Sequence, residues 1–202
     1  RYPEHPGDET YGGHIEKSEH VFWIGGRPFY VNFQSIDSLG NTLDGARILV
    51  EGIEDGITDS QGLHNFTLSP GTYNISVYWQ QVEVNTTQYQ VEHNVSETNP
   101  IQLNCAVYHP SYKVVDSNGE PVENARVFIS HPNGSLIKRS TNSTGDIRVS
   151  QIPVGMYGFT TNWRGKEVNT TEMYVNDNQE AIINARIYLL DVLTVDNQGQ
   201  VV

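Results

Sequence analysis

The sequence predicts an all-β chain in which two tandem β-sandwich domains follow an N-terminal extension. Three observations carry this. β-Branched and aromatic residues alternate at period two through most of the chain. Gly, Pro, Asn and Asp interrupt that alternation about every 8–12 residues, the punctuation of short strands joined by turns, and no window shows a helical period. Finally, a stretch of about 80 residues is written twice, and a third copy begins.

The repeat sets the boundaries. Asp37-Ser38-Leu39-Gly40, Gly45-Ala46-Arg47, Gly62, Pro70-Gly71-Thr72-Tyr73, Trp79 and Glu83-Val84-Asn85-Thr86-Thr87 form the first set of landmarks. They return as Asp116-Ser117-Asn118-Gly119, Asn124-Ala125-Arg126, Gly145, Pro153-Val154-Gly155-Met156-Tyr157, Trp163 and Glu167-Val168-Asn169-Thr170-Thr171. Asn104 and Tyr108 match Asn184 and Tyr188. Val192-Leu193-Thr194-Val195-Asp196-Asn197-Gln198-Gly199 opens a third copy. The expected organisation is an extension at 1–28 with a possible exchanged strand, a sandwich at 29–106, a second at 107–190, and at 191–202 an orphan strand or the start of a third repeat.

Each element has a local reason. Residues 1–19 are polar and carry Pro3, Pro6, Gly7, Gly12 and Gly13, which reads as an arm. Val21-Phe22-Trp23-Ile24, a Gly25-Gly26 break and Phe29 to Phe33 are strand-like. In each repeat an Asp-x-x-Gly turn follows, in which Asp accepts from the backbone two residues on and Gly supplies positive φ. Strands are expected at Ala46 to Val50 and Ala125 to Ile129. In Pro70-Gly71-Thr72-Tyr73 the expectation is a Pro-preset turn with Gly71 left-handed, sending Tyr73, Ile75 and Val77 to one face. These residues read as architecture.

This order of motifs resembles the transthyretin-like or carboxypeptidase-regulatory-like Ig-type sandwich family, and is also similar to adhesin stalk repeats of bacterial and archaeal surface proteins. The resemblance rests on D-x-x-G, the G/N-A-R-[IV] strand, the mid-repeat Gly and P-[x]-G-x-Y, and covers roughly residues 29–190. It implies an Ig-like fold in a spacer, adhesin, ligand-binding accessory or surface-layer module. Fold of this kind does not specify activity.

The sequence carries an excess of N-glycosylation acceptors. Seven Asn-x-Ser/Thr sequons begin at Asn65, Asn74, Asn85, Asn94, Asn133, Asn142 and Asn169, none with Pro in the middle. Chance would give about 2.6 from 18 Asn and 29 Ser plus Thr in 202 residues. Strand parity puts Asn65, Asn74, Asn85 and Asn94 on the solvent face. Glycans imply an extracellular or cell-surface protein. The lone cysteine, Cys105, permits no intrachain disulfide and falls on an apolar face, so it reads as a buried inert thiol. Many sequons without disulfides fit an archaeal envelope protein.

Net charge of −12 gives no basis for binding nucleic acid or an anionic membrane. No stretch is long and apolar enough to span a membrane, and Arg1-Tyr2-Pro3-Glu4 lacks a signal-peptide core, as a processed mature start would. There is no G-x-S-x-G, H-E-x-x-H or P-loop, and Gly25-Gly26 precedes Arg27-Pro28 rather than a helix. Seven histidines (His5, His14, His20, His64, His93, His109, His131) show no zinc spacing and read as ordinary surface residues; no metal or cofactor is expected. Likeness to adhesin stalks implies examining a Lys–Asn isopeptide bond, with Lys113 and Asn184 as partners, but the needed acid is absent from Tyr157-Gly158-Phe159-Thr160-Thr161-Asn162. Trp79 and Trp163 read as repeated core or edge aromatics, with sugar stacking as the functional alternative.

The expectation is a non-catalytic structural glycoprotein, a subunit or segment of a surface filament, sheath or S-layer. Self-association would proceed by β-strand addition through the Val21–Phe33 region and a Tyr188–Val195 strand. The alternative is a carbohydrate-binding or adhesin accessory module, expected to cluster exposed Trp79, Trp163 or Tyr78.

Overall fold

The computed structural model describes residues 28–92, 99–190, 192–198 and 200, and all of its regular elements are strands. The first repeat contributes β1 (Phe29–Ile36), β2 (Arg47–Val50), β3 (Gly56–Ile57), β4 (Leu63–Leu68), β5 (Gly71–Trp79), β6 (Val82–Val91) and β7 (Ile101–Asn104). These form two sheets, β4-β1-β7 and β3-β2-β5-β6. The second contributes β8 (Val107–Tyr108), β9 (Ser111–Val115), β10 (Arg126–Ser130), β11 (Leu136–Ser140), β12 (Asp146–Arg148), β13 (Ile152–Pro153), β14 (Gly155–Trp163), β15 (Lys166–Val175) and β16 (Glu180–Asn184). Its sheets are β12-β9-β16 and β11-β10-β14-β15, with β8 and β13 as a separate pair.

The architecture is an Ig-like sandwich in which β1 pairs with β4 and, in parallel, with β7, and β9 likewise with β12 and, in parallel, with β16. Phe33 lies opposite Ile101 in one copy and Lys113 opposite Ile182 in the other. Period-two patterning aims one side of each sheet inward, so each repeat encloses its own apolar cluster. The first holds Phe33, Ile48, Leu68, Ile75 and Val77; the second Tyr112, Ile129, Ile147, Tyr157 and Phe159.

The turn chemistry repeats with the fold. Asp37 Oδ1 accepts from the amides of Leu39 and Asn41, and Asp116 Oδ1 from those of Asn118 and Glu120. Gly62 and Gly145 have φ of +71° and +77°, and a Cβ on either would stand 2.6 Å from a backbone oxygen, of Ser35 or Val114. Two devices escaped the sequence reading. Buried Thr58 accepts from Ala46 N (2.8 Å) and donates to Leu43 O (2.5 Å); buried Thr141 does the same between Ala125 N (2.9 Å) and Val122 O (2.6 Å). The Tyr73 and Tyr157 hydroxyls reach back four residues to Ser69 O and Pro153 O, the geometry of a tyrosine corner.

Three expectations need correction. Gly71 is not left-handed: it starts β5, paired with Val91, and φ in the positive range falls instead on Gly155, where a Cβ would meet the Pro132 ring at 2.7 Å. Residues 188–190 and 192–194 form no strand. The Phe29–Phe33 part of the proposed exchange segment pairs within its own chain, to β4 and β7, while Val21 to Arg27 lie outside the described residues.

Candidate functional site

The densest polar construction joins the two repeats. The chain leaves β7 through Cys105-Ala106-Val107, whose Val107 packs in the first cluster while its backbone pairs with Pro153 of the second repeat. This brings His109 to the first Asp-x-x-Gly turn. His109 Nε2 lies 2.6 Å from Asp37 Oδ2, and since a carboxylate only accepts, that nitrogen carries the proton. Asp37 is almost fully buried. Burial pushes its carboxyl pKa up, but the bonds from His109, Asn41 and Leu39 outweigh this and hold it below the usual value.

Gln151 completes the junction from the second repeat. Its Nε2 donates to Asp37 Oδ2 (3.3 Å) and Thr42 O (3.1 Å), and its carbonyl accepts from Trp79 Nε1 (2.8 Å) and Gln80 Nε2 (3.5 Å). Gln151 holds φ of 52°, a conformation L residues adopt rarely, which turns its backbone carbonyl and side chain toward the first repeat together. Asn133 Nδ2 donates to Gln80 O (3.0 Å), and Asn178 Oδ1 accepts from His109 N (2.7 Å).

The seven predicted acceptor asparagines do not share one environment. Asn65, Asn74, Asn133 and Asn142 are exposed, whereas Asn94 lies outside the described residues. Asn74 donates to Glu51 and accepts from Gln88, and Asn142 Oδ1 caps its own turn by accepting from Thr144 N and Asp146 N. Asn85 is half-buried rather than solvent-facing, and so is Asn169. The reason is a β-bulge in each copy: pairing jumps from Asn85 to Glu83 and from Asn169 to Glu167, skipping Val84 and Val168. The bend aims the Asn85 amide at Asn104 O (2.7 Å) and the Asn169 amide at Asn184 O (2.8 Å). The skipped residues act beside them, Val84 O accepting from Ala106 N and Val168 O from Arg186 N. Each bulge thus stitches one sheet to the other.

The histidine reading needs correction at two positions. His131 is buried, edge-on to Tyr157 at 5.2 Å, with Nδ1 accepting from Asn133 N; burial holds its pKa below the usual histidine value. His109 belongs to the junction. His64 packs edge-on to Phe66, and His5, His14, His20 and His93 lie outside the described residues. Cys105 is buried, with its thiol pushed up to about 12 by burial. Lys113 is on the outer side of its sheet between Asp146 and Ile182, and Ile182 is 57% exposed, so Lys113 lacks the dry setting an isopeptide bond needs. Trp79 is tied into the junction, and Trp163 carries the Arg164 guanidinium 4.2 Å above its ring. No group of three or more His, Cys, Asp or Glu among the described residues is placed to hold a metal ion. Among the described residues no helix is long and apolar enough to cross a membrane.

Sequence missed the junction because both of its ends sit where the copies diverge. His109 corresponds to Leu189, and Gln151 to a position buried in the first repeat, so aligning the copies hides them.

No family model and no curated protein matches the chain. Among solved structures it is similar to the Bacillus anthracis TIE protein at 19% identity and TM-score 0.36, over 78% of this chain and 34% of that one. It is similar to GBS52, a minor pilin of Streptococcus agalactiae, at 12% identity and TM-score 0.41, over 82% of this chain and all of that one. It is also similar to a Klebsiella pneumoniae 5-hydroxyisourate hydrolase at 20% identity and TM-score 0.30, over 40% of this chain and 86% of that one. The chain spans about a third of the length of the first of these. A pilin and a hydrolase overlay on it at comparable scores, and neither activity transfers on that basis.

Proposed function

We propose that this chain is a non-catalytic extracellular structural glycoprotein, a subunit or segment of a surface filament, sheath or S-layer whose two β-sandwich domains act in series as a stiff rod. The junction carries this reading. A flexible linker would need none of the bonds that Asp37, Trp79, Gln80 and Thr42 make to His109 and Gln151. A connection that buries a carboxylate and satisfies it from the neighbouring unit resists bending, because opening it leaves that charge without its partners. Three buried titratable groups have structural employment, Asp37 in the junction, His131 under its turn and Cys105 in the first core, which favours a scaffold over an enzyme.

The finer transthyretin-like assignment is supported by the D-x-x-G, A-R and P-[x]-G-x-Y motifs together with the parallel pairing of first and last strands. The glycans we assign to the exposed acceptors Asn65, Asn74 and Asn142; Asn133 gives its amide to Gln80 O in the junction, and Asn85 and Asn169 serve as stitches between sheets. An archaeal envelope remains the setting that sequons without disulfides favour. Imaging purified native material tests the role: fibres or sheets are expected, and uniformly monomeric particles would overturn it.

A further inference from the structure

The outer end of the second repeat is built like the end of the first that holds the junction, and it stands open. Asp116, Pro121, Trp163 and Arg164 occupy the positions of Asp37, Thr42, Trp79 and Gln80. With Tyr188 and Phe128 they line a groove of about 990 Å³. The departing chain follows the same course in both copies. Ala185 N donates to Val115 O as Cys105 N does to Ile36 O; Arg186 N to Val168 O as Ala106 N to Val84 O; and Ser117 N to Ile187 O as Ser38 N to Val107 O.

Only the covering differs. Tyr108 pairs with Ile152, and Pro110 is buried, whereas their counterparts Tyr188 and Leu190 are 75% and 82% exposed, with Leu189 at 74%. Beyond them Asp196 repeats the hydrogen bonds of the two earlier Asp residues. Asp196 Oδ1 accepts from Gln198 N (2.8 Å) and Gln200 N (2.9 Å), the pattern of Asp37 and Asp116.

We propose that this groove is the seat of a further sandwich of the second-repeat type, continuous with residues 192–200 and docked as the second repeat docks on the first. The seat offers the Trp163 indole N–H, the Asp116 carboxylate and the Pro121 carbonyl. It therefore calls for a residue that presents a backbone acceptor and a side-chain amide donor together, as Gln151 does. A second copy of this chain docking through its first repeat does not supply it, because the position matching Gln151 is Leu68, fully buried and paired with Phe29. The proposal rests on the reading of the chain as sandwiches in series.

The test lengthens the full chain by a second copy of residues 111–190 placed after Leu190, the register by which the first repeat leads into the second. Spin labels at Lys138 and at the corresponding residue of the added copy report the new junction, and labels at Thr67 and Lys138 the existing one. The expected results are a narrow distance distribution across each junction and slowing of amide exchange at Tyr188 and Leu189 on the order of 100-fold relative to the unextended chain. Trp163→Phe, which keeps the ring and removes the N–H donor, is expected to broaden the new distribution and leave the old one narrow. A broad distribution at the new junction with unprotected Tyr188, or an added copy that fails to protect its own core amides, overturns the seat. If the existing junction stays narrow in that case, the serial-rod reading survives; if it too is broad, that reading falls as well.

Discussion

His109 Nε2 stands 2.6 Å from Asp37 Oδ2, and the two residues belong to different repeats. The pair converts a hairpin turn into a joint. In the second repeat the same turn has no such partner, since Leu189 stands where His109 does in the first. One Asp-x-x-Gly motif therefore shapes a turn in both places, and at the first it also holds the next repeat, through His109 of the connecting segment and Gln151.

Acid should loosen the joint. The Asp37 carboxyl has a folded-state pKa below its unfolded one, so its contribution is present above the unfolded value, near 3.9, and is lost as pH falls through the folded value. Thermal unfolding followed from pH 6 down to pH 2 should show a drop below about pH 4 that Asp37→Asn largely removes. Asp37→Ala should cost about 2–4 kcal/mol at neutral pH, because it strands the Asn41, His109 and Gln151 donors. An unchanged acid profile in Asp37→Asn would assign the acid sensitivity to other carboxylates.

The buried threonines should be more sensitive to loss of the hydroxyl than to loss of the methyl. Thr141→Val leaves Ala125 N and Val122 O without their partner and should destabilise by about 2–4 kcal/mol, while Thr141→Ser, which keeps the hydroxyl, should cost less than half as much. Thr58 should behave the same way in the first repeat. Denaturant titrations with unchanged slope would read both effects.

The β5–β6 turn of the first repeat can be improved. Gln80 and Gln81 hold φ of 48° and 69°, where the second repeat has Arg164 and Gly165. Gln81→Gly should stabilise by about 0.5–1 kcal/mol by relieving the left-handed strain of a side chain at that position. Gly145→Ala should do the reverse, by about 2 kcal/mol or more, since its Cβ meets Val114 O.

The bulge asparagines separate structure from modification. Asn85→Ala and Asn169→Ala should each cost about 1–2 kcal/mol by releasing Asn104 O and Asn184 O. Thr87→Ala and Thr171→Ala abolish the same sequons without touching those amides, and should leave stability within about 0.5 kcal/mol. Mass spectrometry of native material should find Asn85 and Asn169 unmodified. Glycan mass on either would show that its stitch is open.

Much of the fold was legible because it is local. Period-two alternation fixed which side of Val31, Phe33, Ile75 and Val77 faces inward, and landmarks recurring at offsets of 79 to 84 residues mark where the strand order of the first repeat returns. What stayed hidden depends on pairing register. The recurrence of Asn85-Thr86-Thr87 as Asn169-Thr170-Thr171 looked like a duplicated glycan acceptor. Only the bulge, which shifts Asn out of strict alternation, turns its amide toward another strand. Thr58 and Thr141 also recur, but a single Thr in a loop has no period to mark it. The junction was least legible, since His109, Gln151 and Asn133 are unique to their copies and meet Asp37 and Gln80 only through tertiary structure.

If the two repeats form one stiff unit, the distance between labels on either side of the junction is fixed. With Cys105 replaced by Ala, the residue its counterpart Ala185 already carries, labels at exposed Thr67 and Lys138 report the geometry. A single narrow distribution is expected at neutral pH, broadening in Gln151→Ala and on acidification below about pH 4. A broad distribution in the unaltered junction would contradict it.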